Sequence, residues 1–262
     1  MPSHAHFGFL SAEGAELGAS SDAISEAQEF LRKFGYLRRE LVGKFSLGTF
    51  DDSTQSAIRL YQDFHGLPIT GELDAATLAE MSKPRCGFPD FPDIGEYELD
   101  GRKWTKRNLT YRFRNFTPDM SQDKQKSAIQ QAFELWDRAC GLSFSETSGS
   151  ADIEISFATG DHGDGSSFDG PGRVLAHAFF PPPNGGNLAG DAHFDESEVW
   201  ETNLPIPSAR IDLVTVAAHE FGHSIGLRHS KVRGALMFPT YGGPMRYLHS
   251  DDQAGARAIY GS

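Results

Sequence analysis

The segment HEFGHSIGLRHS, residues 219–230, holds the densest chemistry in this 262-residue chain. His219 and His223 stand four residues apart, so a helix presents both imidazoles on one face, toward one point. Glu220, beside the first of them, reaches the same point as a candidate general base. Gly226 ends such a helix and turns the chain, and His229 then brings a third imidazole. Three protein nitrogens and an open fourth position describe a catalytic zinc, since structural sites close all four. Histidines four apart often do no more than decorate a helix surface, but HExxHxxGxxH fixes five positions and makes that reading a poor one.

Three further stretches belong with this motif. ALMFPTY (235–241) places Met237 eight residues after His229. PRCGFPD (84–90) isolates Cys86 between prolines and a glycine, in an extended rather than helical segment. Residues 160–200 crowd histidines and aspartates among glycines and prolines. A HExxHxxGxxH motif followed by a methionine turn resembles the metzincin clan. Ser230, directly after the third histidine, is the residue matrix metalloproteinases carry there, and PRCGFPD resembles their cysteine-switch motif PRCGVPD, with Phe88 in place of valine. The resemblance covers residues 22–261 and is to the minimal, matrilysin-like matrixins, which have a propeptide and a catalytic domain but no haemopexin-like repeat, hinge or membrane anchor.

The resemblance implies an α+β metzincin catalytic domain, a twisted mixed sheet of five strands with three helices, preceded by a small three-helix propeptide. The implied activity is zinc-dependent hydrolysis of internal peptide bonds in extended polypeptides, extracellular or matrix proteins, by an enzyme made as a zymogen. Glu220 is the implied catalytic residue; His219, His223 and His229 hold the catalytic zinc; Cys86 is a fourth ligand in the latent form. Met237 is an apolar floor under the histidines. His162, Asp164, His177 and His193 match the structural zinc set, three imidazoles and a carboxylate. Asp169, Gly170, Gly172, Val174, Asp195 and Glu198 match a calcium site of oxygen ligands, and Asp119, Asp152, Asp191 and Glu196 are further calcium candidates. Arg173 departs from the family's second glycine, and PPPNGGNLAG (181–190) is longer than the usual connection. A solvated acidic loop is the alternative reading of the calcium candidates.

Substrate is expected to lie extended against Leu175 and Ala176, with Pro239 and Tyr241 walling the pocket for the residue after the cut bond. Thr215 is small where relatives set pocket depth, which predicts a deep pocket for leucine, methionine or larger apolar side chains. Activation is expected at Glu96–Tyr97 by another protease, and the new ammonium at Tyr97 is expected to pair with Asp251 or Asp252. Protein inhibitors of the tissue-inhibitor type, a monomeric state and secretion are further implications.

The elements that must position these groups are legible from periodicity. Ile24, Ala27, Phe30, Leu31 and Phe34 predict a first helix ending near Gly35. A second helix starts at Asp52 with Gln55 placed for a capping box, and Asp74 caps a short third one. LTYRFRNF (109–116) and ADIEISFA (151–158) alternate like strands around a helical stripe at 121–139. Strand-like pieces follow at 173–180 and 191–194, and helices at 211–226 and 251–260. This divides the chain into a flexible leader (1–20), a propeptide with helices like peptidoglycan-binding domains and the switch (21–96), and a catalytic domain (97–262).

Composition narrows the alternatives. A net charge of −12 argues against a general nucleic-acid binder, which needs a basic face. No apolar run reaches the roughly 18 residues that span a bilayer, and no signal peptide is visible at the N-terminus. Cys86 and Cys140 allow one disulfide; as a zinc ligand Cys86 is free of it, and Cys140 is then a buried thiol. The competing functional class is a non-catalytic module binding wall or matrix polymer through residues 22–83; the presence of Glu220 disfavours it.

Overall fold

Local signals in the sequence start most of the helices. The computed structural model describes residues 7–38, 43–91, 103–183 and 186–261. These divide into two compact units: residues 7–83 with 88–91, and residues 84–87 with 103–261. In the first unit, helix α1 (Asp22–Lys33) begins at Ser21, whose hydroxyl accepts from the Ile24 amide. Helix α2 (Asp52–Phe64) is capped by Asp51 rather than Asp52, and Gln55 closes no box: the Asp51 carboxylate takes the Thr54 amide at 2.8 Å and the Ser46 amide at 2.7 Å. Helix α3 (Ala75–Met81) starts from Asp74 as expected. Residues 7–20 are not a loose leader. Gly8–Ala12 form a 3-10 turn, Phe9 is buried with its ring against Phe30, and Ala19 and Gly18 exchange backbone bonds with Phe50. The two phenylalanines in this polar stretch supply the apolar surface that its composition obscures.

In the second unit a six-stranded mixed sheet carries the architecture, one strand more than expected. Its strands are β1 (Arg85–Cys86), β2 (Asn108–Phe113), β3 (Ser143–Glu146), β4 (Ile153–Ala158), β5 (Val174–Ala178) and β6 (Ala192–Asp195), in the spatial order β1-β5-β6-β4-β2-β3. Only β5–β6 is antiparallel. The additional edge strand is the Cys86 segment itself, parallel to β5. A two-residue strand has too short a period to read from sequence. Helix α4 (Gln122–Cys140) and helix α5 (Leu213–Ser224) pack on this sheet; helix α6 (Ser250–Tyr260) closes the chain. Phe133 of α4 stacks on Phe221 of α5 with centroids 3.8 Å apart, and the Trp136 indole donates to the Ala218 carbonyl at 2.8 Å. These contacts set the depth and rotation of α5 in the core. Strands β7 (Trp200–Glu201) and β8 (Ile211–Asp212) form a short second ladder that delivers Asp212 to the start of α5. No helix among the described residues is long and apolar enough to cross a membrane.

Candidate metal centres

Helix α5 is buried along its whole length, and that burial makes its polar residues informative. His223 and Glu220 are fully buried and His219 nearly so. Gly226, at φ +106°, takes a backbone that side chains resist and reverses the chain, so that His229 returns to face the helix. The Nε2 atoms of His219 and His223 each lie 3.2 Å from Nε2 of His229. Cys86 Sγ lies 3.5 Å from His223 Nε2, and the four ligand atoms lie within 4.8 Å of one another. An ion about 2.1 Å from nitrogen and 2.3 Å from sulfur has tetrahedral edges of roughly 3.4–3.7 Å, close to these separations. The tautomers agree with that use. Nδ1–H of His219 donates to the Leu236 carbonyl at 2.7 Å and Nδ1–H of His223 to that of Leu227 at 2.8 Å, which leaves both Nε2 lone pairs pointing inward. The residues therefore fit zinc.

Glu220 faces the same point. Its Oε2 is 3.5 Å from the Cys86 sulfur, and its buried Oε1 has no hydrogen-bond partner among the described residues. Burial pushes the carboxyl up to about 8, the Cys86 hydrogen bond pulling weakly the other way; a cation on the imidazoles opposes that push. Met237 lies under the helix. A Cβ built on Gly222 would stand 2.2 Å from Met237 Sδ, so this glycine is what lets the methionine approach.

The Cys86 segment occupies the groove between β5 and the 239–241 wall. The Arg85 amide donates to Arg173, the Gly87 amide to Ala176 and the Cys86 amide to Pro239, while the Tyr241 amide donates to Pro84. Leu175, Thr215, Pro239 and Tyr241 line an adjoining cavity of about 50 Å³. At roughly 10–15 Å³ per water on that measure it has room for three to five waters, the size of a leucine or methionine side chain. Thr215 leaves space, as its size predicts, but its hydroxyl accepts the Met245 amide at 2.7 Å and so draws backbone into part of it. Neither cysteine is in a disulfide among the described residues, and both are buried.

The second histidine cluster also converges. One oxygen of Asp164 lies 2.7 Å from a ring nitrogen of each of His162, His177 and His193. Burial, with Asp164 opposing it, pushes His177 down to about 4, which keeps the imidazole in its ligating, neutral form. Three imidazoles and a carboxylate with all ligand atoms within 4.8 Å fit a closed zinc site. Around the loop at 169–174, the Asp169 carboxylate takes the Val174 amide and Glu198 that of Gly172. Asp195 is fully buried with one oxygen unpartnered among the described residues. Burial, then repulsion by Asp195 and Asp169, pushes Glu198 up to about 7. Such crowded carboxylates suit a hard cation. The four remaining oxygen candidates have separate partners: Asp119 takes the Trp200 amide, Glu196 the Thr117 hydroxyl, Asp191 the Glu154 amide, and Asp152 is engaged by Lys106 and Thr110.

Two groups of functional residues escape sequence reasoning. The carbonyls of Leu227 and Leu236 orient the ligands, but a backbone acceptor has no residue signature. Asp252, named from sequence only as a possible partner of the Tyr97 ammonium, is buried at the start of α6, takes the amides of Leu236, Met237 and His249 and so holds the methionine turn; its place in a capping box was the available clue to that role. Glu96 and Tyr97 lie outside the described residues.

Comparison with known proteins agrees with this geometry. Residues 103–261 match the model of matrixin peptidases, and residues 20–81 match that of a putative peptidoglycan binding domain. The chain is 49% identical to interstitial collagenase of Equus caballus over 207 residues, 78% of this chain and 42% of that protein. It is 48% identical to the Bos taurus interstitial collagenase over 209 residues, with the same coverage. Macrophage metalloelastase of Oryctolagus cuniculus is 40% identical over 258 residues, 97% of this chain and 53% of that one. The chain thus spans about half the length of the relatives it matches. With a matrixin domain over most of its length, a histidine triad set for zinc and a peptidoglycan-binding-like unit before it, the chain belongs to the matrixin family of metalloendopeptidases.

Proposed function

We propose that this chain is a zinc-dependent endopeptidase that cleaves extended polypeptides, extracellular or matrix proteins among them, and that it is held latent by Cys86. The observation that carries the reading is the convergence of His219, His223, His229 and Cys86 on one point beside the buried Glu220. The names of its relatives, collagenase and metalloelastase, support matrix substrates. In this reading residues 21–96 are the propeptide and 97–262 the catalytic domain.

Zinc held by the three histidines supplies Lewis acidity toward a peptide carbonyl and toward water. Glu220 accepts the proton of the attacking water and returns it to the leaving amine; its unpartnered Oε1 is available for that proton. Substrate backbone takes over the polar groups now used by the Cys86 segment, namely the carbonyls of Ala176 and Pro239 and the amide of Tyr241. The side chain after the cut bond enters the cavity beside Thr215. As a thiolate, Cys86 fills the remaining ligand position and leaves no place there for water.

His162, Asp164, His177 and His193 hold a structural zinc in this account. Asp169, Asp195 and Glu198 hold calcium with carbonyls of Gly170, Gly172 and Val174, and Asp119, Asp152, Asp191 and Glu196 contribute to further calcium sites. Activation by another protease at Glu96–Tyr97 removes the switch. Of the two acidic residues considered for the new ammonium, Asp251 suits it better, because Asp252 already takes three amides while Asp251 is exposed beside Ser230. The enzyme is secreted, acts as a monomer and is open to tissue-inhibitor-type proteins. The test is cleavage of a quenched peptide by the full chain carrying Cys86→Ser. That variant is expected to cleave, and adding Glu220→Ala is expected to abolish cleavage with zinc retained. Equal cleavage with and without Glu220 would refute the assignment.

A further inference from the structure

Thr215, Tyr241 and Met245, which line the cavity, are each tied to a charge pair or to one another through it, and that pair lies outside the lining. Asp212, fully buried, caps α5: its carboxylate takes the Thr215 amide at 3.3 Å and the Thr215 hydroxyl at 2.6 Å. Arg246 grips the same carboxylate through two nitrogens, at 3.0 and 2.5 Å, and donates to the Thr202 carbonyl at 2.8 Å. The Thr215 hydroxyl in turn accepts the Met245 amide at 2.7 Å, and the Asp212 amide donates to the Tyr241 hydroxyl at 3.0 Å. The segment from Tyr241 to Arg246 is therefore tied to the first turn of α5 at three points.

Besides this tie, the segment is held by the Tyr241 amide bond to Pro84 and by the packing of Tyr241 and Met245 against the core, both at positions flanking its middle. It contains Gly242 and Gly243, the latter at φ +111°, and a Cβ on either would meet nothing within 4 Å. Two glycines in open space leave the backbone a wide choice of paths. The tie to Asp212 selects the one that places Met245 in the cavity wall. A two-pronged arginine–carboxylate contact is geometrically specific, which suits it to fixing a position.

We infer that Arg246, acting through Asp212 and Thr215, is a positioning residue that sets the depth of this pocket, so that the chain selects leucine- or methionine-sized side chains after the cut bond and rejects long aromatic ones. The inference rests on the peptidase reading and adds a specificity element to it. One methylene in an apolar pocket discriminates roughly 10–200-fold, so a clamped wall is enough to exclude a second ring.

The test uses the full chain carrying Cys86→Ser and two quenched peptides that differ only after the scissile bond, one with leucine and one with biphenylalanine. Arg246→Ala should raise the kcat/KM ratio of the long substrate over the leucine one by about 10-fold or more. Thr215→Val keeps the side-chain shape but removes the hydroxyl that holds Met245, and should move the ratio in the same direction. The double variant should gain less than the product of the two, because both act on one tie. Arg246→Lys, which lacks the two-pronged grip, should fall between wild type and Arg246→Ala. If Arg246→Ala does not fold, Thr215→Val carries the comparison. Ratios within twofold of the parent in folded, zinc-bound variants would overturn the inference. A parent chain that cleaves neither peptide would refute the peptidase reading instead. The clamp is then read by amide exchange, where protection of the Met245 amide must fall in Arg246→Ala and an unchanged rate would overturn it.

Discussion

Replacing Gly222 with alanine places a methyl group between α5 and the methionine turn. The new Cβ would lie 2.2 Å from Met237 Sδ, 2.9 Å from Met237 Cε and 2.9 Å from Trp136 Cζ2. Two effects oppose each other. Alanine is favoured over glycine in a helix interior by about 0.8–1.0 kcal/mol. Overpacking a filled core costs roughly 1–3 kcal/mol. Met237 and Trp136 are both essentially unexposed, and the indole is pinned by its bond to Ala218, so retreat is possible only through the methionine. A 2.2 Å contact puts the overpacking in the upper half of its range, so it wins, with a net loss of about 1–2 kcal/mol. For a unit of this size that lowers Tm by roughly 2–8 °C. The disturbance also reaches the metal, because the neighbouring Leu236 carbonyl orients His219. Loss of such an outer contact weakens metal binding roughly 10–100-fold. Tryptophan fluorescence reads the unfolding, and Trp104, Trp136 and Trp200, all the tryptophans of the chain, lie in the second unit. Competition with a chelator reads the zinc. An unchanged or raised Tm together with unchanged zinc retention would refute the argument that Gly222 is there for Met237.

The helix caps of the first unit make a pH prediction. Burial raises the carboxyl pKa values of Asp51 and Asp74, but amide and hydroxyl donors, those of Ser46 and Thr54 for the first and of Thr77 and Thr70 for the second, outweigh it and hold both below the usual range. A depressed folded pKa means stability present above the unfolded value near 3.9 and lost as pH falls through the folded one. Far-UV circular dichroism between pH 5 and 2 should therefore show a shallower acid loss in Asp51→Asn/Asp74→Asn, and an unchanged slope would contradict this. At neutral pH, Asp51→Ala or Asp74→Ala should each cost about 1 kcal/mol in a urea titration, and no shift in midpoint would argue that the caps are idle. Asp164→Ala removes the carboxylate shared by His162, His177 and His193. Elemental analysis should then find one zinc per chain instead of two, and two retained ions would show that the cluster does not depend on Asp164.

The histidine cluster was legible because its geometry is local. Four-residue spacing on a helix and one glycine reversal fix where His219, His223 and His229 meet, so spacing alone carries the three-dimensional statement. The same holds for Asp74, which lies one residue before the helix it caps. At Asp51–Asp52 two identical side chains are adjacent; the spacing to Gln55 pointed to Asp52, whereas the helix that begins there is capped by Asp51. Strands β1, β7 and β8 have two residues each and β3 has four, too few for an alternating pattern to emerge. The pair of Asp212 with Arg246 spans 34 residues and forms only once the loop after the methionine turn has folded back. The bond from the Met245 amide was hidden for a related reason. A small Thr215 predicts space, but its hydroxyl also offers an acceptor, and the backbone of Met245 uses it.

Latency in the proposed function depends on one zinc ion joining Cys86 to the three histidines. Zinc-edge X-ray absorption on the full-length wild-type chain reads that shell directly. The expected spectrum has a sulfur scatterer at about 2.3 Å in addition to nitrogen and oxygen near 2.0–2.1 Å, and Cys86→Ser should lose the sulfur alone with the zinc content unchanged. A wild-type spectrum with no sulfur, or one identical to that of Cys86→Ser, would contradict it.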